Sequence, residues 1–233
     1  MFFFEKVPNS LEMFLHRQYN VISIERKGKF MKIYSVKDKE FAQFGRVLDL
    51  NTDEIVAVAD KIEKPTEGSV YEASRADFEA LAIKDEIQDA YFGTMDTQLG
   101  YCYGHSHQLN ALEWHTCSEV NIAINDLILL LGDRRDIEEG NRYNSANVKA
   151  FRLCRGEAIE VYATTLHFCP IETDAKGFGC VVGLLKGTNL PLEKESSDLL
   201  LFRVNKWIFA HDDNKALLER GVVAGIYGEN YKF

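Results

Sequence analysis

From about residue 91 the chain is a series of short apolar and β-branched runs separated by turns, and no other feature limits its fold so tightly. The runs cover residues 97–103, 109–115, 119–131, 148–153, 158–162, 166–169, 179–185 and 199–208. Many short strands at near-regular spacing predict an all-β sandwich or barrel. Residues 133–147 and 190–198 read as polar loops, and no repeat of 20–50 residues is visible. Ahead of the β-rich part lie strand candidates at 32–36, 46–50 and 69–71. Asn51 and Glu54 have capping-box spacing, so a helix is predicted over 53–64, closed by Pro65 and Gly68. Two short helices are predicted near 75–81 and 83–90. The expected organisation is one domain over 31–233, with its barrel core at about 91–210 and a small helical N-terminal part.

Residues 1–30 read differently. Glu25-Arg26-Lys27-Gly28-Lys29 can be encoded by purine codons alone, as a translated ribosome-binding site would be, just ahead of Met31. Met31 is therefore the expected natural start; the alternative is a genuine N-terminal arm with residues 21–24 as a strand. Lys+Arg of 27 against Asp+Glu of 36 gives a net charge of −9, which argues against binding nucleic acid or an anionic membrane surface. The longest apolar stretch, 120–131, is interrupted by Asn121, Asn125 and Asp126 and does not read as a membrane span. Five cysteines without a Cys-x-x-Cys argue against a disulfide framework or a thiolate zinc site, and a cytoplasmic location is expected.

The chemistry concentrates around Glu113-Trp114-His115-Thr116-Cys117-Ser118-Glu119. On a strand, residues two apart share a face, so Glu113 and His115 point the same way. Glu119 is too distant to join them on one straight strand. A hairpin turn at Thr116-Cys117-Ser118 would fold it back opposite His115. His167 is the distant fourth member. Two carboxylates and two imidazoles suit one divalent ion, with Mn, Fe, Ni and Zn all compatible.

These residues resemble the ligand motifs of cupins, small double-sheet β-barrels of the jelly-roll type. Glu113, His115 and Glu119 are similar to the first motif, and the stretch from Gly156 to His167 to the second. Glu113 stands where cupins usually have His, and Ala163 and Thr164 stand near the usual Pro and Gly. Over most of Met31 to Phe233 the chain is also similar to a family of uncharacterised bacterial cupin-like proteins. A competing register, His105-x-His107 followed by Glu113, supplies two histidines at nearly the usual spacing.

The resemblance implies a metal-dependent enzyme acting on a small polar metabolite, a sugar or sugar acid, through isomerisation, epimerisation or a lyase step. Lys186 and His105 are the candidate catalytic groups. Asn121 and Asn125, at the strand parity of Glu119, are candidates to line the polar interior and bind substrate. A homodimer is also implied. The alternatives are a cupin that binds or senses a sugar without turnover, and a metal-free barrel.

Overall fold

A computed structural model describes the backbone of residues 22–26 and 29–233, with side chains from Met31 onward. Residues 1–21, 27 and 28, most of the expected extension, lie outside the described residues. The chain is mainly β. One six-stranded sheet runs Ile22–Arg26, Lys29–Ser35, Lys149–Leu153, Leu127–Asp133, Thr165–Leu166, with Ile171–Glu172 also on Leu127–Asp133. A second six-stranded sheet runs Gly45–Leu48, Ala158–Val161, Glu119–Ala123, Phe178–Leu185, Thr97–Gly104, Ser69–Glu72. The two face each other across one apolar core. Leu127, Leu129, Leu131, Phe151 and Leu153 of the first meet Ala123, Ile159, Phe178, Cys180 and Leu184 of the second. This is the double-sheet jelly-roll architecture expected from the strand pattern and the cupin resemblance.

Aromatic packing fixes part of that core. Phe151 lies 5.4 Å from the rings of both Phe41 and Phe44 and 5.7 Å from Tyr34. The outer face of the second sheet is covered by the helices Asp53–Ala59, Ala76–Glu79 and Ala82–Tyr91, whose Ile55, Phe78 and Ile87 pack on Leu99, Tyr101, Val120 and Ile122. The outer face of the first sheet is covered by a third sheet. It is built from Leu201–Arg203, Lys206–His211, Val223–Tyr227 and Tyr143–Asn144, with Ala111–Trp114 paired to Lys206–His211. Strands buried on both faces carry no alternation. Residues 119–131 therefore read as one run, yet they form two strands in two sheets, Glu119–Ala123 and Leu127–Asp133, joined by a bend.

Several expected boundaries differ. The first helix ends at Ala59, five residues short of the predicted end. Its cap is Thr52, and Asn51 instead accepts a bond from the Asp53 amide at 3.1 Å. The run at 199–208 is a hairpin turning at Val204 and Asn205, the latter at φ 55°. The helix Lys215–Glu219 and the strand Val223–Tyr227 lie beyond the expected barrel core. All five cysteines are free thiols. Among the described residues no helix is long and apolar enough to cross a membrane.

One glycine controls the wall of the cavity described next. A Cβ on Gly100 would lie 2.4 Å from the Glu72 carbonyl oxygen and 2.8 Å from that of Ala73, so only glycine lets the strand Ser69–Glu72 seat here. Gly100→Ala is expected to destabilise the fold by about 1–3 kcal/mol. A lower urea midpoint would show this, and an unchanged midpoint would mean that the edge strand moves freely.

Candidate metal centre

The four dispersed residues converge by a different route from the predicted hairpin. Ala111–Trp114 and Glu119–Ala123 do not pair with each other; they belong to different sheets, and Thr116 to Ser118 carry the chain between them. The crossing achieves what the hairpin was expected to do. The strand partner that matters is instead His167, which forms an isolated antiparallel bridge with Glu113. The Glu113 amide donates to the His167 carbonyl at 2.7 Å, and the His167 amide to the Glu113 carbonyl at 3.0 Å. Residues directly opposite on antiparallel strands present side chains to the same face.

Glu119 Oε2 lies 3.4 Å from Nε2 of both His115 and His167. The ring centroids of these histidines are 5.4 Å apart. Ligand atoms of Glu113, His115 and His167 all lie within 4.8 Å of one another. The cluster is buried, with His115 1%, His167 6% and Glu119 6% exposed.

Backbone carbonyls set the tautomers. His115 Nδ1 donates to the Asn205 carbonyl at 2.6 Å, and His167 Nδ1 to the Thr165 carbonyl at 3.2 Å. A carbonyl only accepts, so each Nδ1 carries a proton and each Nε2 points inward, where it can hold a metal once any proton on it is displaced. Both Nε2 atoms are buried and, among the described residues, have no hydrogen-bond partner of good geometry. Such orphans are uncommon and call for an explanation. Ligands about 2.1 Å from a shared ion stand about 3.0–3.4 Å apart, which matches the carboxylate–imidazole spacing. The donor set therefore fits a divalent metal, and two imidazoles with one carboxylate is a recurrent arrangement for such ions.

The electrostatics agree. Burial alone would raise the Glu119 carboxyl, but His167 and His115 outweigh it and hold it well below the usual range. Burial alone would lower His167, but Glu119 outweighs it and raises the imidazole to about 9. Without a metal, a proton on His167 balances the buried carboxylate.

Further groups hold the cluster in place. Asn121 Nδ2 donates to Glu119 Oε1 at 2.7 Å, so Asn121 faces the interior as expected and orients the carboxylate. Asn205 ties the crossing to the 201–211 hairpin. Its Oδ1 accepts from the Thr116 amide at 2.9 Å, and its Nδ2 reaches Thr188 Oγ1 at 3.0 Å and Cys117 Sγ at 3.5 Å. Lys206 pairs with Glu113. It stands diagonal to Glu113 across the sheet, because Ile208 is the residue directly opposite.

The cluster opens into a cavity of about 400 Å³ whose wall includes Glu113, Glu119, Asn121, His167 and Lys206. Cys102, Cys169 and Cys180 also line it.

Three expected residues lie elsewhere. Lys186 is an exposed residue in the turn that follows Phe178–Leu185, facing Asp96 at 3.9 Å, and does not line the cavity. Asn125 sits in the bend after Glu119–Ala123, donating to the Gly177 carbonyl at 2.7 Å and accepting from Lys64 at 3.2 Å. Strand parity stops applying once the strand ends, so it does not follow Glu119 and Asn121 inward. His105 and His107 both turn their Nδ1 atoms to Glu172, at 2.6 and 2.8 Å. They line a neighbouring cavity of about 630 Å³, so the competing register does not gather around Glu113. The sequence reading missed Lys206, Asn205 and the three cavity thiols, which carried no motif.

Residues 33–231 match the family described as a domain of unknown function, DUF4867. No curated protein matches the chain. Among solved structures it is similar to a variant of oxalate decarboxylase from Bacillus subtilis, at 9% identity and a TM-score of 0.31 over 54% of this chain and 28% of that one. It is also similar to the same enzyme at pH 4.6, at 10% identity and a TM-score of 0.32 over 93% of this chain and 55% of that one. A third likeness is vicilin from hazelnut, Corylus avellana, at 6% identity and a TM-score of 0.33 over 71% of this chain and 41% of that one. The chain thus spans from about a quarter to just over half the length of these proteins. With the match covering nearly all of its described length, the chain belongs to the DUF4867 family.

Proposed function

We propose that this protein binds one divalent metal ion through His115, His167 and Glu119, with Glu113 as a fourth ligand shared with Lys206. We further propose that it uses the site as an enzyme on a small polar metabolite, a sugar or sugar acid. The observation that carries the reading is the pair of buried, unpartnered Nε2 atoms, both 3.4 Å from one carboxylate oxygen. A metal held there supplies Lewis acidity, polarising a carbonyl and stabilising negative charge that develops on adjacent oxygens. The surrounding side chains do the rest. Asn121 fixes Glu119, and the Asn205 and Thr165 carbonyls fix the two imidazoles. Lys206 Nζ is the group placed to move a proton, in exchange with Glu113. This fits isomerisation, epimerisation or elimination next to a carbonyl. Mn, Fe, Ni and Zn all suit the donors. The homodimer and the cytoplasmic location belong to the same reading.

A second reading is a binder without turnover, favoured by the engagement of Lys206 with Glu113, which leaves the cavity no unengaged amine base. Metal analysis of the purified protein, then a panel of aldoses, ketoses and sugar acids with and without chelator, tests both. Near one metal per chain and chelator-sensitive turnover is the expected result. Ligand-induced stabilisation without turnover would favour the binder. A protein that takes up no divalent metal would defeat both in favour of a metal-free barrel.

A further inference from the structure

The cavity wall beyond the metal cluster includes two arginines, the half-buried Arg203 and the exposed Arg220 at its rim. Their setting is unusual for a chain of net charge −9 with 36 acidic residues. Most other arginines have acidic partners: Arg46 with Glu160, Arg75 with Asp77, Arg135 with Asp133, Arg142 with Asp212, Arg155 with Asp60. Among the described residues neither Arg203 nor Arg220 has one; the Arg203 guanidinium lies over the Phe202 ring, 4.7 Å from its centroid.

The fold also places them deliberately. In the hairpin, Arg203 is the register partner of Lys206. Like charges directly opposite on paired strands are destabilising. Glu113 answers Lys206, but among the described residues no acid answers Arg203. Arg220 is the C-terminal cap of the helix Lys215–Glu219 and is followed by Gly221 at φ 87°, which turns the chain into Val223–Tyr227. That helix is anchored beside the site: Asn214, its N-cap, accepts from the Leu217 amide at 3.1 Å and donates to Asn110 at 2.8 Å, next to Ala111–Trp114.

We propose that Arg203 and Arg220 form an oxyanion-binding subsite, so that the ligand of this cavity is a small organic anion carrying a carboxylate or a phosphate. The proposal deepens the metal-centre reading, on which it rests for where the rest of the ligand sits. Guanidinium forks match planar carboxylates and phosphates, and in a partly closed cavity such bonds are stronger than neutral ones. One end of the ligand meets the Arg203 and Arg220 guanidiniums, while its hydroxyl or carbonyl oxygens face the cluster at Glu119 and His167. Arg203 and Arg220 are specificity-determining residues in this scheme and take no part in holding the metal.

Titration calorimetry with inorganic phosphate, D-galacturonate and neutral D-galactose tests this on the metal-loaded protein and on chelator-treated protein. At least one anion is expected to bind about tenfold or more tightly than galactose. The double variant Arg203→Gln with Arg220→Gln is expected to bring that preference below about threefold, at unchanged metal content and unchanged melting profile. Which anion is preferred identifies the oxyanion. Equal binding of galactose and both anions, absence of anion binding, or a preference that survives the double variant overturns the subsite. If the protein takes up no metal yet shows the arginine-dependent preference, the metal centre fails and the subsite stands. If it holds metal without that preference, the reverse is true.

Discussion

His167→Ala protein is expected to purify with its divalent metal content close to zero and to rebind metal at least about a hundredfold more weakly than the parent. Outer-shell partners of metal ligands already contribute about ten- to a hundredfold in affinity, and His167 lies a shell closer. The variant removes one of two inward-facing Nε2 atoms and leaves Glu119 with His115 alone. His115→Ala should behave alike, since its Nε2 stands at the same 3.4 Å from Glu119. His105→Ala is the informative control. It lies against Glu172 in the neighbouring cavity, so its metal content should equal that of the parent. Elemental analysis of the three proteins, with near-ultraviolet circular dichroism to show an intact core, reads the result. Full metal content in the His115 and His167 variants would place any ion elsewhere, and loss in His105→Ala would restore the competing histidine register.

The features the sequence revealed were local ones. Parity along one strand was enough to put Glu113 and His115 on a common face, and the strand texture after residue 91 was enough for a β sandwich or barrel. Distant pairing was harder to read. Thr116-Cys117-Ser118 has the length of a hairpin turn, and nothing nearby reveals that Ala111–Trp114 leaves for the Lys206–His211 strand while Glu119–Ala123 joins Ala158–Val161 and Phe178–Leu185. Lys206 shows the same difficulty. In sequence it is one lysine in a polar hairpin, and only the register opposite Ala111–Trp114 makes it the partner of Glu113. Lys186 failed for the complementary reason: its strand does end beside Glu119, but the turn that follows aims the lysine at Asp96 and solvent instead of the cavity. Cys102, Cys169 and Cys180 were concealed by chemistry, since a free thiol packs like any small apolar side chain until a cavity opens beside it.

The buried acid–imidazole pair makes the metal-free protein sensitive to pH in a direction that can be worked out. His167 is raised from 6.5 to about 9 by Glu119, so its contribution to stability is complete below about 6.5 and disappears as pH climbs through about 9. Glu119 is depressed below its ordinary 4.5, so its contribution is present above that value and is lost only in strong acid. Chelator-treated protein should therefore be most stable between roughly pH 4.5 and 6.5 as far as this pair is concerned, and should weaken by on the order of 3 kcal/mol by pH 9.5. Metal reverses the sign. An ion at the two Nε2 atoms competes with the proton on His167, so metal affinity should rise with pH until that proton is gone near pH 9. Urea midpoints at pH 6 and 9.5, with chelator and with saturating metal, separate the two cases. The gap between loaded and stripped protein should widen toward alkaline pH, and His167→Ala should erase most of the dependence of the stripped protein. A gap that stays constant would mean that His167 carries no extra proton in the stripped state. The buried Glu119 carboxylate would then need another counter-charge, and the Lys206 ammonium, which lines the same cavity and is now paired with Glu113, is a candidate.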